Sequence, residues 1–224
     1  MRLPATPTVT LMREVVGALP RRQLTGRSIV GVDGADGAGK TVFADTLAAV
    51  MNDLGHTAIR ATIDGFHRPR AERYARGRRS PEGFYLDSYD YATFRRVLID
   101  PFREGGLTGA STGFQLAAFD LERDTPVETE WTTAPLDAVL VVDGIFLHRP
   151  ELIDIWDWSL WLDAPAAVRF ARMADRDGTD PDPDASSNER YRVGQEIYLS
   201  RVNPAALAAV RIDNADPASP KVIP

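Results

Sequence analysis

The chain has 224 residues, 44% of them hydrophobic and 26% charged, with a net charge of −6. That balance suits one globular α/β domain and argues against a broad nucleic-acid surface. Cysteine is absent, which excludes disulfides and cysteine metal sites. No apolar run reaches the length of a membrane helix and no signal-peptide core is seen, so a cytoplasmic chain with neither a membrane nor a nucleic-acid partner is expected.

Residues 8–19 form an amphipathic pattern, with Val9, Met12, Val15, Val16 and Leu19 on one side and Pro20 as the stop. An exposed apolar helix there would offer a homo-oligomer interface. Residues 28–33 read as a short buried strand. The run Gly34-Ala35-Asp36-Gly37-Ala38-Gly39-Lys40-Thr41 then fits the phosphate-loop pattern G-x-x-x-x-G-K-[ST] at every fixed position. A helix follows over residues 41–54, with Phe43, Leu47, Val50, Met51 and Leu54 at helical spacing and Gly55 as a stop. Strand, glycine loop and helix is the context such a loop requires. Its N–H groups turn inward on phosphate oxygens, and the helix N-terminus adds partial positive charge. Lys40 is one of only two lysines among 26 basic residues, the other being Lys221 in the tail. A chain that writes arginine almost everywhere has lysine where a slim ammonium reaches between phosphates. These features point to a nucleoside triphosphate, taken as ATP, with Lys40 on the β- and γ-phosphates and the Thr41 hydroxyl on Mg2+.

Residues 57–63 read as a second strand, expected beside the first and ending at Asp64. Residues 68–84 turn to Arg, Gly and Pro and read as a loop or irregular insertion. A helix is expected over 91–98, then a strand over 114–119 pairing with 127–131. The apolar, β-branched run 138–142 suits a central parallel strand closed by Asp143-Gly144. A strand at 158–162, a helix at 165–174, a mobile Asp-Pro-rich segment at 175–188, a helix at 189–202, a strand at 207–212 and a tail at 217–224 complete the chain. This alternation predicts a doubly wound parallel sheet with flanking helices, ligands at the carboxyl ends of the strands, and a small lid. We place an acceptor-side insertion at about 65–90 and the lid at about 172–192 within one domain.

Three aspartates stand at strand ends. Asp33 precedes the loop and shapes it by hydrogen bonding. Asp143 fits either the carboxylate that supports magnesium or an ordinary strand-end turn. Asp64 is placed to face the γ-phosphate and take a proton from an attacking hydroxyl. Arg169, Arg172 and Arg176 share one helix side, either as a solvated face or as part of a lid over the triphosphate. Arg68, Arg70, Arg73, Arg76, Arg78 and Arg79 are either a solvated loop or forks for an anionic acceptor. His56 and His148 read as surface or capping residues, and Trp156, Trp158 and Trp161 as core or sheet-face residues.

The chain resembles uridine kinases. Residues 34–41, Asp64-Gly65-Phe66-His67, Pro81-Glu82-Gly83-Phe84, Asp87-Ser88-Tyr89-Asp90, Phe119-Asp120 and Asp143-Gly144-Ile145-Phe146 follow in that family's order. The skeleton is shared with phosphoribulokinases and bacterial pantothenate kinases, all on the P-loop nucleoside triphosphate hydrolase fold. The resemblance covers residues 28–214. It implies a phosphotransferase whose general base is Asp64. Phe66, His67, Tyr85, Asp90 or Asp87, Phe119, Arg123 and Arg169 would serve the acceptor, a nucleoside by preference. Arg172 and Arg176 would stabilise charge from the lid. Uridine kinases have a Glu-Gly-Ile element where this chain has Asp143-Gly144-Ile145, which keeps the charge. Phe119 replaces a tyrosine and removes a hydroxyl from base recognition.

Overall fold

A computed structural model describes residues 2–19, 26–108 and 112–224. Helix α1 (Pro7–Gly17) opens with Pro7 at its first turn and Thr6 as its cap, the Thr6 side chain accepting from Val9 N at 3.2 Å. Pro20, expected as its stop, lies outside the described residues. Strand β1 (Ser28–Gly34), helix α2 (Lys40–Asp53) and strand β2 (Ala58–Thr62) follow as expected.

The region read as an irregular insertion contains helices. After a 3-10 turn at Ile63–Phe66 come α3 (Arg70–Arg73), α4 (Pro81–Asp87) and α5 (Tyr91–Phe94). A π-turn at Arg95–Ile99 then leads into α6 (Asp100–Thr108). Helix α4 has a legible cause: Ser80 caps it through Gly83 N at 3.0 Å, and Pro81 takes the first position. The expected strand at 114–119 reduces to the two-residue β3 (Phe119–Asp120), paired with β4 (Thr125–Pro126), and a single bridge between Phe114 and Thr132.

Strands β5 (Val139–Gly144) and β6 (Trp158–Asp163) bring the chain back to the sheet. Helices α7 (Ala166–Asp177), α8 (Glu189–Val202) and α9 (Pro204–Leu207) precede β7 (Val210–Asp213). Residues read as a tail contribute β8 (Lys221–Ile223), which pairs antiparallel with β7. Between α7 and α8 the buried Asn188 side chain donates to Asp180 O and Asp182 O, both at 2.8 Å.

The six-stranded sheet runs β2-β5-β1-β6-β7-β8, parallel except for β8. Strand β2 therefore does not lie beside β1, as the sequence suggested; β5 stands between them. Every residue of β1 and β5 is buried, as expected of strands covered on both faces. Alternate side chains feed two cores. Val30, Val32, Val139, Val141, Leu160 and Leu162 meet α1 and α2. Ile29, Leu140, Val142 and Trp161 meet residues from the 63–102 arm and Tyr198 of α8. The apolar face of α1 is spent in the first core, with Met12 fully buried. It is not an open interface; burying such side chains contributes about 1.5–3 kcal/mol each.

Candidate active site

The loop between β1 and α2 takes its shape from two left-handed glycines. Gly37 has φ 75° and Gly39 φ 90°, and a Cβ on Gly37 would stand 2.3 Å from Arg169 O. Only glycine meets both demands at Gly37. Beneath the loop, Asp33 Oδ1 accepts from Gly34 N at 2.7 Å, while Oδ2 accepts from His148 Nδ1 at 2.7 Å and from the Tyr198 hydroxyl. His148 Nε2 lies 2.9 Å from Ser159 Oγ, and the imidazole is fully buried. Asp33 thus shapes the loop as expected, but His148 is not a surface residue. It ties β5's exit to the loop's base.

At the loop's other end, Thr41 Oγ1 donates to Asp143 Oδ2 at 2.7 Å, and Arg60 Nη2 donates to Asp143 Oδ1 at 2.7 Å. Lys40 Nζ donates to Ala35 O at 2.9 Å. The sheet order explains why Asp143 meets Thr41: β5 is the direct neighbour of β1, so its carboxyl end emerges against the loop. A cavity of about 180 Å³ opens there, lined by Asp36, Lys40, Thr41, Asp64, Asp143 and Arg176 among others. Asp36 is held in turn by Gln195 Nε2 at 2.8 Å.

Asp64 sits in the 3-10 turn after β2, exposed toward this cavity. The Tyr89 hydroxyl donates to its Oδ1 at 2.8 Å. Burial, reinforced by the charge of Asp64, pushes the Tyr89 phenol well above its ordinary range, so it remains a donor. Two residues on, Phe66 and His67 line a second cavity of about 520 Å³. Its walls include Asp90, Phe119, Glu72, Glu128, Arg96 and Trp131. His67 Nδ1 lies 2.9 Å from Asp64 O, and since a carbonyl only accepts, Nδ1 carries the proton. Burial lowers the His67 pKa, which keeps the ring neutral at pH 7 and Nε2 an acceptor. Burial alone would raise the Asp90 carboxyl, but hydrogen bonds from Thr93 and the charge of Arg68 hold it below its ordinary range.

The site therefore gathers residues 34–41, Asp64, Asp143 and Arg176 in one place and Phe66, His67, Asp90 and Phe119 in the adjoining one. It does not gather Tyr85, Asp87 and Arg123, nor Arg169 and Arg172 of α7. Tyr85 is buried against Phe146 and Tyr198 beneath the Arg149 guanidinium. Asp87 is ion-paired to Arg76 at 2.9 Å. Arg123 is 79% exposed on the hairpin turn beside Asp120 and lines neither cavity.

The arginines of α7 divide as well. Arg169 donates to Ala164 O and Asp36 O at 3.0 and 3.2 Å, and Arg172 to Gly37 O, Asn214 O and Ala215 O at 3.3, 2.9 and 2.8 Å. Both brace the loop from behind. Arg176 alone reaches the cavity, paired with Asp177 at 2.6 Å. A third cavity of about 200 Å³ lies beside Gly39, lined by Thr8, Val42, Phe43, Arg172, Asn214 and Pro217.

Sequence reasoning missed Arg60, Tyr89 and the wall residues Glu72, Glu128 and Trp131. Tyr89 stood inside a motif already noticed. Arg60 had no signal, because nothing local says that an edge-strand arginine crosses to the neighbouring strand's carboxylate.

No family model matches the chain. A uridine kinase from Leuconostoc citreum is 24% identical over 185 residues, spanning 79% of this chain and 78% of its own length. A solved structure of a possible uridine kinase from Bacillus stearothermophilus superposes with a TM-score of 0.70 at 22% identity, covering 91% of this chain and 96% of that one. Phosphoribulokinase from Rhodobacter spheroides superposes with a TM-score of 0.54 at 18% identity, covering 84% and 70%. The fold is the mostly parallel, helix-flanked sheet of P-loop kinases of the uridine kinase and phosphoribulokinase type. Within that class, the curated relatives support a uridine kinase-like P-loop kinase, at low identity. No helix among the described residues is long and apolar enough to cross a membrane.

Proposed function

We propose that the chain transfers the γ-phosphate of ATP to the 5′-hydroxyl of a nucleoside, uridine or cytidine. The observation that carries this reading is the position of Asp64. Its exposed carboxylate borders the phosphate-loop cavity, while Phe66 and His67 of the same turn line the larger cavity next door. A hydroxyl presented from the larger cavity meets Asp64 at the boundary.

In this reading the N–H groups of residues 34–41 and the Lys40 ammonium hold the triphosphate. Lys40 leaves Ala35 O to do so. The apolar slot beside Gly39 takes the purine ring. Among the described residues no group of three or more acidic or histidine side chains could hold a metal alone. Thr41 Oγ1 and Asp143 Oδ2, 2.7 Å apart at the cavity, are one hydroxyl and one carboxylate, a donor pair that fits magnesium, which takes few protein ligands and fills its shell from phosphates and water. Thr41 and Asp143 would hold it, and when bound it neutralises charge on the β- and γ-phosphates. Asp64 accepts the acceptor's hydroxyl proton as that oxygen bonds to the γ-phosphorus and the bond to the bridging oxygen of ADP breaks. Tyr89 fixes the Asp64 carboxylate in place, and Arg176 supports the developing charge from the lid side.

The wall chemistry favours an uncharged acceptor. Glu72, Asp90 and Glu128 face the large cavity against one arginine, Arg96. Arg73 and Arg76 of the basic run are spent on Asp124 and Asp87. A phosphorylated sugar or pantothenate would bring a second anion to an acidic wall, whereas Asp90 suits a ribose diol and Phe119 and Trp131 suit a base. ATP consumption measured with uridine, cytidine, pantothenate, sugars and sugar phosphates tests the reading. Turnover is expected with the pyrimidine nucleosides; ATP hydrolysis indifferent to every acceptor would sink the kinase reading, and turnover with only the anionic acceptors would sink the nucleoside one.

A further inference from the structure

A fourth cavity, of about 350 Å³, lies between the acceptor arm and the start of α8 and shares no lining residue with the three already described. Arg78 and Arg79 enter it from the arm; Arg190, Ser186, Ser187 and Tyr191 enter it from the lid side. The chain pairs neighbouring arginines freely: Arg73 with Asp124 at 3.1 Å, Arg76 with Asp87 at 2.9 Å and Arg192 with Glu196 at 2.8 Å. Among the described residues, Arg78, Arg79 and Arg190 have no carboxylate within 4.0 Å, although Glu189 stands in the same wall.

Three like charges around one cavity repel one another, so an unpaired cluster of this kind is built at a cost. It is also pre-shaped. Arg190 Nη1 donates to Arg78 O at 2.6 Å, and its guanidinium lies over the Tyr74 and Phe84 rings at 4.9 and 5.5 Å. That anchor turns Arg190 into a fixed fork and fastens the lid side to the arm. Burial lowers the Arg190 pKa, with Tyr74 and Tyr191 opposing it and Arg73 and Arg78 adding smaller repulsion. Two serine hydroxyls at the N-terminal end of a 14-residue helix add neutral donors.

We propose that this cavity is a second anion site that takes the phosphoryl group of a small molecule. The ligand is separate from the ATP held by the phosphate loop. Planar guanidinium forks match phosphate oxygens two at a time. Because the donors come from residues 78–79 on one side and 186–191 on the other, occupancy ties the arm to the lid and resists their separation. Closure of the cleft is thereby coupled to phosphorylated metabolites or free phosphate in solution. The inference does not depend on which acceptor the kinase uses.

The test uses the full chain with a non-hydrolysable ATP analogue saturating the phosphate loop and inorganic pyrophosphate as the probe. Calorimetry is expected to show one further pyrophosphate bound per chain, weakened about tenfold or more by Arg78→Gln with Arg79→Gln. Both side chains are exposed, so the double variant keeps its fold, which an unchanged Tm verifies. Lys40→Ala, tested without the analogue, is expected to retain this binding. Amide exchange at residues 185–191 is expected to slow with pyrophosphate in the wild type and not in the double variant. A second arm repeats the titration with inorganic phosphate and a sugar phosphate, which separates free phosphate from a phosphorylated metabolite as the ligand. Pyrophosphate binding that survives the double variant unchanged, disappears with Lys40→Ala, or is absent once the analogue is bound would overturn the proposal.

Discussion

On the donor side of the cleft, β1 and β5 are buried along their whole length and locked in parallel register from Ser28–Val139 to Asp33–Gly144. On the proposed acceptor side, the described residues between 63 and 132 are assembled from helices of four to nine residues and strands of two. Such short pieces have little stability of their own. They are held by packing of Phe66, Phe94, Phe102 and Phe114 into the second core and by long-range cross-ties: Ala118 N to Gly65 O and Asp90 N to Phe66 O, both at 2.8 Å, and Arg68 N to Ser88 O at 3.0 Å. The lesson is that the donor side is positioned by the centre of a sheet, where small errors are resisted, while the acceptor side is positioned by cross-ties that substitutions can retune. Phosphate binding is expected to be brittle and acceptor choice to be adjustable.

Four substitutions put that contrast under strain, beginning with the largest effect. Lys40→Ala should lower kcat/KM for ATP by about 10³-fold in steady-state assays, since the charge acts where phosphate charge develops. A loss below tenfold would mean that the loop does not hold the triphosphate. Asp33→Ala should cost roughly 3 kcal/mol, because it orphans the buried Gly34, His148 and Tyr198 donors together. For a chain of this size that lowers Tm by roughly 6–12 °C, readable by calorimetry. Glu128→Gln should move KM for the acceptor only a few-fold and leave KM for ATP unchanged; an equal shift in both would erase the distinction between the two sides.

The smallest effect is a pH dependence. Burial lowers the pKa of His67, so the unfolded chain takes up a proton at this position more readily than the folded one. Its stability term is complete above the ordinary histidine range and is lost as pH falls below about 6.5 toward the lowered value. Urea titrations at stepped pH should show this slope in the wild type and its absence in His67→Gln.

The same contrast governs how much could be read from the sequence. The donor side was legible because its determinants are local: a strand, two left-handed glycines and the helix they lead into occupy 26 consecutive residues, Ser28 to Asp53. Strand order was not, because β2 and β5 both follow the loop and only packing decides which one flanks β1. That decision puts Asp143 against Thr41. On the acceptor side, motif resemblance named Asp64, Phe66, His67 and Asp90, and the structure places them around the two adjoining cavities. Tyr85, Asp87 and Arg123 were misplaced, since a helix of seven residues and a hairpin turn rotate them away from the cavity. Phe119 kept its predicted place through a strand only two residues long. The buried role of His148 left no trace, because its partners Asp33 and Ser159 are 115 and 11 residues away.

The two sides meet at Asp64. Asp64→Asn preserves shape and removes the proton acceptor, so single-turnover phosphoryl transfer to uridine should fall by about 10²–10⁴-fold while the Kd for ATP in the same variant stays within a few-fold of wild type. Phosphoryl transfer that continues near the wild-type rate, or a collapse of ATP binding in parallel with turnover, would contradict the proposed role of Asp64.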